Sequence, residues 1–276
     1  NRIMARLRTA QKRLQKLWGS SRGRITVLTG ARQVGKTTLV TKAFPSVPLL
    51  RFDALTERLA YRSLTPADWI ERFPVAILDE VQKAPELFDT LKSVFDQAPE
   101  TRYLLLGSSQ IQLLDGVRET LAGRAALMRL HPLTLPELMD VGGSMPCSSF
   151  QRLLTDSDSL PEREKELLDP VAAISPREAS ARRWWDHLAR WGGMPSLIAP
   201  DFDDAERMDW LRDYQELYLQ RDLGDLARLS DLEPFVRAQK IAALRSGETV
   251  QFAALGAAAG VGAITARRYL QYLELS

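Results

Sequence analysis

"GARQVGKTT", residues 30–38, follows the apolar run "ITVLT" (25–29) and leads into a stretch compatible with a helix. Gly30, Ala31, Arg32, Gln33, Val34, Gly35, Lys36 and Thr37 satisfy the pattern G-x-x-x-x-G-K-[ST], placed as that pattern requires between a buried strand and a helix. Its glycines let the backbone turn until N–H groups face phosphate oxygens, and the following helix adds the positive end of its dipole. The sequence therefore predicts a nucleoside triphosphate cradled by residues 30–38, Thr38 included, with Lys36 on the β and γ phosphates and Thr37 on Mg²⁺.

A second stretch completes such a site. In "VAILDE" (75–80) an apolar strand ends in Asp79 and Glu80. A carboxylate emerging from a buried strand holds the magnesium shell, and a neighbouring one orients the attacking water. A glutamate beside the magnesium aspartate points to hydrolysis, because a kinase would need an acceptor site instead. "LLLGSS" (104–109) puts Ser108 or Ser109 at the polar end of another strand, placed to help position that water. Arg118 and Arg124 in "RETLAGRAALMRL" precede a fifth strand; either projects into a neighbouring subunit's site or forms an ordinary surface ion pair.

Five runs rich in β-formers alternate with helix-compatible stretches: "RITVLT" (24–29), "PLLRFDA" (48–54), "PVAILDE" (74–80), "RYLLLGS" (102–108) and "AALMRLH" (125–131). This spacing predicts parallel βαβ units and a three-layer α/β domain over residues 24–140, with helices on both sheet faces. Residues 141–176 exchange periodic apolar positions for Gly, Pro, Ser and charge and are expected to be a linker or insertion. Residues 177–246 read as an all-helical unit, including an acidic stretch, Asp201 to Glu233, with eleven acids against four arginines.

Residues 247–276 read as a helix-turn-helix. Phe252, Leu255 and Ala259 line one face, Gly260 stops the helix and Val261 plugs the turn. Small residues at Ala257 to Ala259 let the helices cross closely, and a second helix from Ala263 is expected to bury Ile264, Leu270 and Leu273. Thr265, Arg267, Arg268 and Gln271 then face outward, residue types that contact phosphates and base edges of duplex DNA. The same motif also serves protein contacts. "YLQYLELS" ends without a helix terminator, which leads us to expect a larger protein.

Composition narrows the field. The chain has 276 residues, 45% hydrophobic, room for about two domains with proper cores. Its longest uncharged small-and-apolar run, Phe252 to Ile264, is 13 residues, short of the roughly 20 needed to cross a bilayer. One cysteine, Cys147, forms no intramolecular disulfide, and His131 and His187 make no metal-ligand cluster. A cytoplasmic setting is the simplest expectation. Net charge is +2, but residues 1–24 carry eight bases and no acid, so the remainder sums to −6. Within residues 1–23, Ile3, Leu7, Ala10, Leu14 and Leu17 recur at helical spacing, giving a basic amphipathic helix that either binds a phosphate-rich surface or packs as a cap with a solvated cationic face. The opening Asn1, with no preceding methionine, fits a piece of a longer chain.

Taken with "LAGR" (121–124), "GGMP" (192–195) and "YLQRDLGDL" (218–226), these stretches resemble the AAA+ superfamily, and within it the bacterial and archaeal ATPases with a helical lid and a winged-helix segment. The resemblance implies strand order 5-1-4-3-2, with Lys36 and Thr37 on phosphate and magnesium, Asp79 and Glu80 as the Walker B pair, Ser108 as first sensor and Arg124 as arginine finger. It further implies that Pro195 contacts the nucleotide and that Arg221 senses the γ phosphate. Ala31 stands where many relatives carry proline. The reading that follows is an ATP- and Mg²⁺-dependent ATPase, homo-oligomeric, coupling nucleotide state to duplex DNA through the helix-turn-helix. The alternative is a slowly hydrolysing switch, cycling between ATP and ADP, that acts on a protein partner. A helicase built on "DEVQ" would need a second nucleotide-fold domain.

Overall fold

Every residue of strand β1 (Ile25–Thr29) is buried, the mark of a central strand covered on both faces. The computed structural model describes residues 8–107, 110–139, 176–220 and 232–275. Around β1 lie β2 (Leu49–Arg51), β3 (Val75–Asp79), β4 (Arg102–Leu106) and β5 (Ala125–Arg129), in the order β2-β3-β4-β1-β5 with every pairing parallel. That is the expected 5-1-4-3-2 order. The strands are shorter than the apolar runs because the runs extend into the loops at each end.

The sheet's two faces sort by alternation along the strands. Ile25 and Val27, with Leu78 and Leu105, pack against Trp69 of α4 (Pro66–Arg72), Phe88 and Leu91 of α5 (Leu87–Gln97) and Leu113 of α6 (Gln110–Thr120). On the other face Leu28, Ile77 and Leu104 meet Leu14 and Trp18 of α1 (Thr9–Trp18) and Leu39 and Val40 of α2 (Lys36–Ala43). The part of the basic N-terminal helix that is described thus spends its apolar stripe on the sheet, as a cap would. α3 (Leu55–Arg62) lies between β2 and α4, and α7 (Leu135–Leu138) starts at a capping box of Thr134 and Glu137.

The C-terminal helices follow: α8 (Pro176–Trp191), a short 3₁₀ turn (Pro195–Ile198), α9 (Asp204–Tyr214) running into a π-helical turn (Gln215–Gln220), and then α10 (Glu233–Leu244), α11 (Phe252–Ala259) and α12 (Ala263–Leu275). α8 packs Trp184 and Leu188 on Leu133 and Leu138 beside α7. The last three helices share a core of Phe235, Ala238, Leu255, Ala259, Ala266 and Tyr269. Two expectations about this unit need correction. Ile264 is not buried: it is 83% exposed at the start of α12, because Ala266 and Tyr269 take the core face. Close crossing is provided by Gly256 and Ala259 rather than Ala257 and Ala258, which are exposed; a β-carbon on Gly256 would sit 2.6 Å from the Val261 carbonyl oxygen. The expected linker, residues 141–176, lies outside the described residues apart from Pro176, which opens α8. Among the described residues no helix is long and apolar enough to cross a membrane.

Candidate functional site

The C-terminal ends of β1 and β3 are neighbours across β4, and the loops leaving them meet. The loop after β1 runs into α2, whose first residue, Lys36, is 8% exposed and donates from Nζ to the Gly30 carbonyl at 2.7 Å and the Ala31 carbonyl at 3.0 Å. The loop therefore curls around its own ammonium. Gln33 holds φ at 59° and Gly35, preceding α2, at 96°, both left-handed.

One residue along, Thr37 Oγ1 donates to Asp79 Oδ2 at 3.0 Å, joining the two halves predicted from sequence. Asp79 is 8% exposed, and burial pushes its carboxyl above the ordinary carboxylate range against the opposing pull of the Thr37 hydrogen bond. Glu80 follows at a φ of 60°, a strained value for a residue with a long side chain, which turns it out of the strand line. Its Oε2 accepts from Gln82 Nε2 at 2.6 Å. Lys83 on the same turn pairs with Asp53 beyond β2 at 2.6 Å.

Two contacts to the loop of residues 30–38 come from residues that no sequence motif marks. Arg8 donates from Nη1 to the Val34 carbonyl at 3.0 Å and from Nη2 to the His131 carbonyl, and its Nε lies 3.3 Å from Glu137 Oε1. Glu137, 4% exposed, also accepts from the Thr9 backbone N–H at 2.7 Å and the Thr134 backbone N–H at 2.9 Å. A buried ion pair thus ties the segment before α1 to the loop and to the exit of β5. The capping-box spacing in "TLPE" marks a helix start, yet nothing in it announces Arg8 as partner. The second contact comes from α9, where the Tyr214 hydroxyl donates to the Arg32 carbonyl at 3.3 Å. Beside Arg8 opens a cavity of about 310 Å³, lined among others by Arg13, Arg129, His131 and Thr134.

The remaining predicted residues fall elsewhere. Arg124 makes a two-point ion pair with Asp96 of α5 within its own chain, Nε at 2.9 Å and Nη2 at 3.0 Å, and Arg118 lies 3.7 Å from Asp115. Neither reaches the Lys36 loop. Pro195 opens the 3₁₀ turn after "GGMP", and that segment is fixed to the sheet domain: Leu133 N–H donates to the Gly193 carbonyl at 2.7 Å. A β-carbon on Gly193 would lie 2.2 Å from the Leu133 carbonyl oxygen, so glycine is required there by contact rather than by φ. On α12, Arg267, Arg268 and Gln271 are exposed and Thr265 is half-buried, with the Arg267 guanidinium 5.9 Å from the Phe252 ring centre. Ser108, Ser109 and Arg221 lie outside the described residues.

Residues 22–139 match the family described as an AAA domain. The chain carries an AAA domain of the P-loop ATPase type. Residues 182–276 match a family described only as a domain of unknown function. An uncharacterized protein of Mycobacterium tuberculosis and one of Mycobacterium bovis are each 30% identical over 254 residues, 91% of this chain but 48% of their own length. The chain therefore spans about half the length of the curated relatives it matches. A Walker-type ATPase of Pyrococcus abyssi superimposes with a TM-score of 0.52 at 14% identity, over 96% of this chain and 89% of that one, a likeness of fold. The AAA domain accounts for the sheet order and the loop, and the C-terminal helices that follow it contact Arg32 through Tyr214 and Leu133 through Gly193.

Proposed function

We propose that the chain binds and hydrolyses ATP at the Lys36 loop and passes the nucleotide state through the helical lid to duplex DNA held by α11 and α12. The observation that carries the first half is the Thr37–Asp79 contact with Glu80 next in line. A hydroxyl and a buried carboxylate already touching make a donor pair suited to a hard divalent cation, and a cation there would relieve the cost of burying Asp79. Thr37 and Asp79 are assigned to Mg²⁺. Lys36 and the backbone of residues 30–38 hold the phosphates, and the cavity beside Arg8 is assigned to the base and sugar. Glu80 takes the proton of the attacking water, with Ser108 in support, while Arg124 serves a neighbouring subunit after leaving Asp96.

The second half is supported by the exposed face of α12, where Arg267, Arg268 and Gln271 stand free of the helical core and offer phosphate and base-edge contacts. Binding of this kind is salt dependent, since each neutralised phosphate releases counterions. Phosphate release and DNA retention, measured with and without duplex DNA for the parent and for R267A/R268A, test it. The expected result is DNA binding whose salt slope falls by about 2 in the double variant and turnover that duplex DNA raises in the parent alone. DNA-independent turnover with no retained DNA would refute this half. That outcome is the one foreseen by the alternative, a nucleotide switch with a protein partner, which the Tyr214–Arg32 bond favours by joining lid to loop and the Leu133–Gly193 bond by joining lid to the segment after β5.

A further inference from the structure

Glu80 does not stand alone at the end of β3. Gln82, two residues on, donates from Nε2 to Glu80 Oε2 at 2.6 Å, short for an N–H donor and typical of a carboxylate acceptor. The amide cannot be turned over, since that would set two acceptor oxygens against each other at the same distance. Its other end is fixed as well. Gln82 Oε1 is buried with no hydrogen-bond partner among the described residues, and it rests over Gly107, the last residue before Ser108. A β-carbon on Gly107 would lie 2.4 Å from that oxygen and 3.1 Å from the amide carbon. Between the two residues Val81 is fully buried in the sheet core, so the turn that carries the amide is anchored. An unpartnered buried acceptor is costly, and a fold keeps one where a site calls for it.

From this we infer that Gln82 is a positioning residue for hydrolysis: its amide, wedged over Gly107, fixes the Glu80 carboxylate in the orientation from which it takes a proton. The inference rests on the assignment of Glu80 as base. A glutamate has three side-chain torsions, and misplacing a base by an ångström costs orders of magnitude in rate, so one short bond to a fixed amide has a large effect. Gly107 belongs to the same device, because any side chain there displaces the amide.

Variants of the full chain test this: Q82L, which keeps the bulk and removes the donor; G107A, which pushes the amide away; the two together; and each of them combined with E80Q. The expected result is a kcat lowered about tenfold or more in Q82L and in G107A, with KM and the ATP dissociation constant unchanged, and no additive loss when the two are combined. In the E80Q background neither variant lowers the residual rate further. A readout without nucleotide accompanies the kinetics: in glutamine-labelled protein the Gln82 side-chain amide protons are protected from exchange in the parent and lose that protection in E80A and in G107A. An unchanged or raised kcat in Q82L, a loss of ATP affinity in step with kcat, or an amide indifferent to E80A would each overturn the inference. E80Q turning over at the parental rate would instead overturn the reading of Glu80 itself.

Discussion

Thr37 Oγ1 and Asp79 Oδ2 are in contact at 3.0 Å, a bond between the first turn of one helix and the last residue of a strand 42 positions away in sequence. It joins the loop after β1 to the end of β3. Because burial holds the folded-state pKa of Asp79 above its unfolded value, this carboxyl favours folding only below the unfolded value, and that contribution is lost as the pH rises through the folded one. The ionised form of Asp79 therefore weakens the ligand-free fold. D79N is expected to stabilise the ligand-free chain at pH 7 by about 1 kcal/mol, with the difference vanishing toward acid pH, and to abolish the shift in melting temperature that Mg²⁺ and ATP together give the parent. Thermal unfolding across a pH series checks both signs.

Arg8 and Glu137 make a pair whose removal is asymmetric. Glu137 has 2% of its side chain exposed and Arg8 11%, so losing the carboxylate strands a buried guanidinium and two backbone N–H groups. E137A is expected to cost about 3 kcal/mol in urea unfolding, and the double replacement R8M/E137L less than E137A alone. Equal losses for the single and double variants would show that the ion pair does not hold this corner.

Gly193, just after α8, lies against the Leu133 backbone beyond β5. G193A is expected to destabilise by about 2 kcal/mol, since the Leu133 backbone must move to admit the methyl group. Loosening here detaches the 3₁₀ turn from β5, so amide exchange in residues 195–198 should accelerate more than exchange in β1.

Arg124 is tied to Asp96 by an exposed ion pair, so its loss leaves the melting temperature unchanged. If it serves a neighbour, R124A lowers turnover at least tenfold with ATP affinity intact. Mixing R124A with E80Q subunits then restores part of the activity, because one subunit supplies the base and the other the arginine. No recovery on mixing would assign Arg124 to structure alone.

What the sequence disclosed and what it hid divide along physical lines. Strand β1, Lys36, Thr37, Asp79 and Glu80 are legible because a phosphate cradle and a buried parallel strand each need fixed residue types at fixed local spacing. Arg8, Gln82 and Tyr214 escape such a reading, since their partners stand in other elements or, for Gln82, depend on the close approach of Gly107, and pairing across the fold leaves no period in the chain. Ile264 was misplaced for a related reason. In α12 Ala266 and Tyr269, two and five positions later, join the core shared with α10 and α11, and only the packing of three helices decides which face of a mixed apolar and basic helix turns inward.

The central claim is that Glu80 works as base beside a site that binds ATP without it. Single-turnover hydrolysis of ATP by the parent and by E80Q, with nucleotide affinity measured for both, tests this most directly. E80Q is expected to bind ATP with parental affinity and to hydrolyse it about 100-fold or more slowly. Hydrolysis by E80Q at the parental rate, or a parent that binds no ATP, would contradict it.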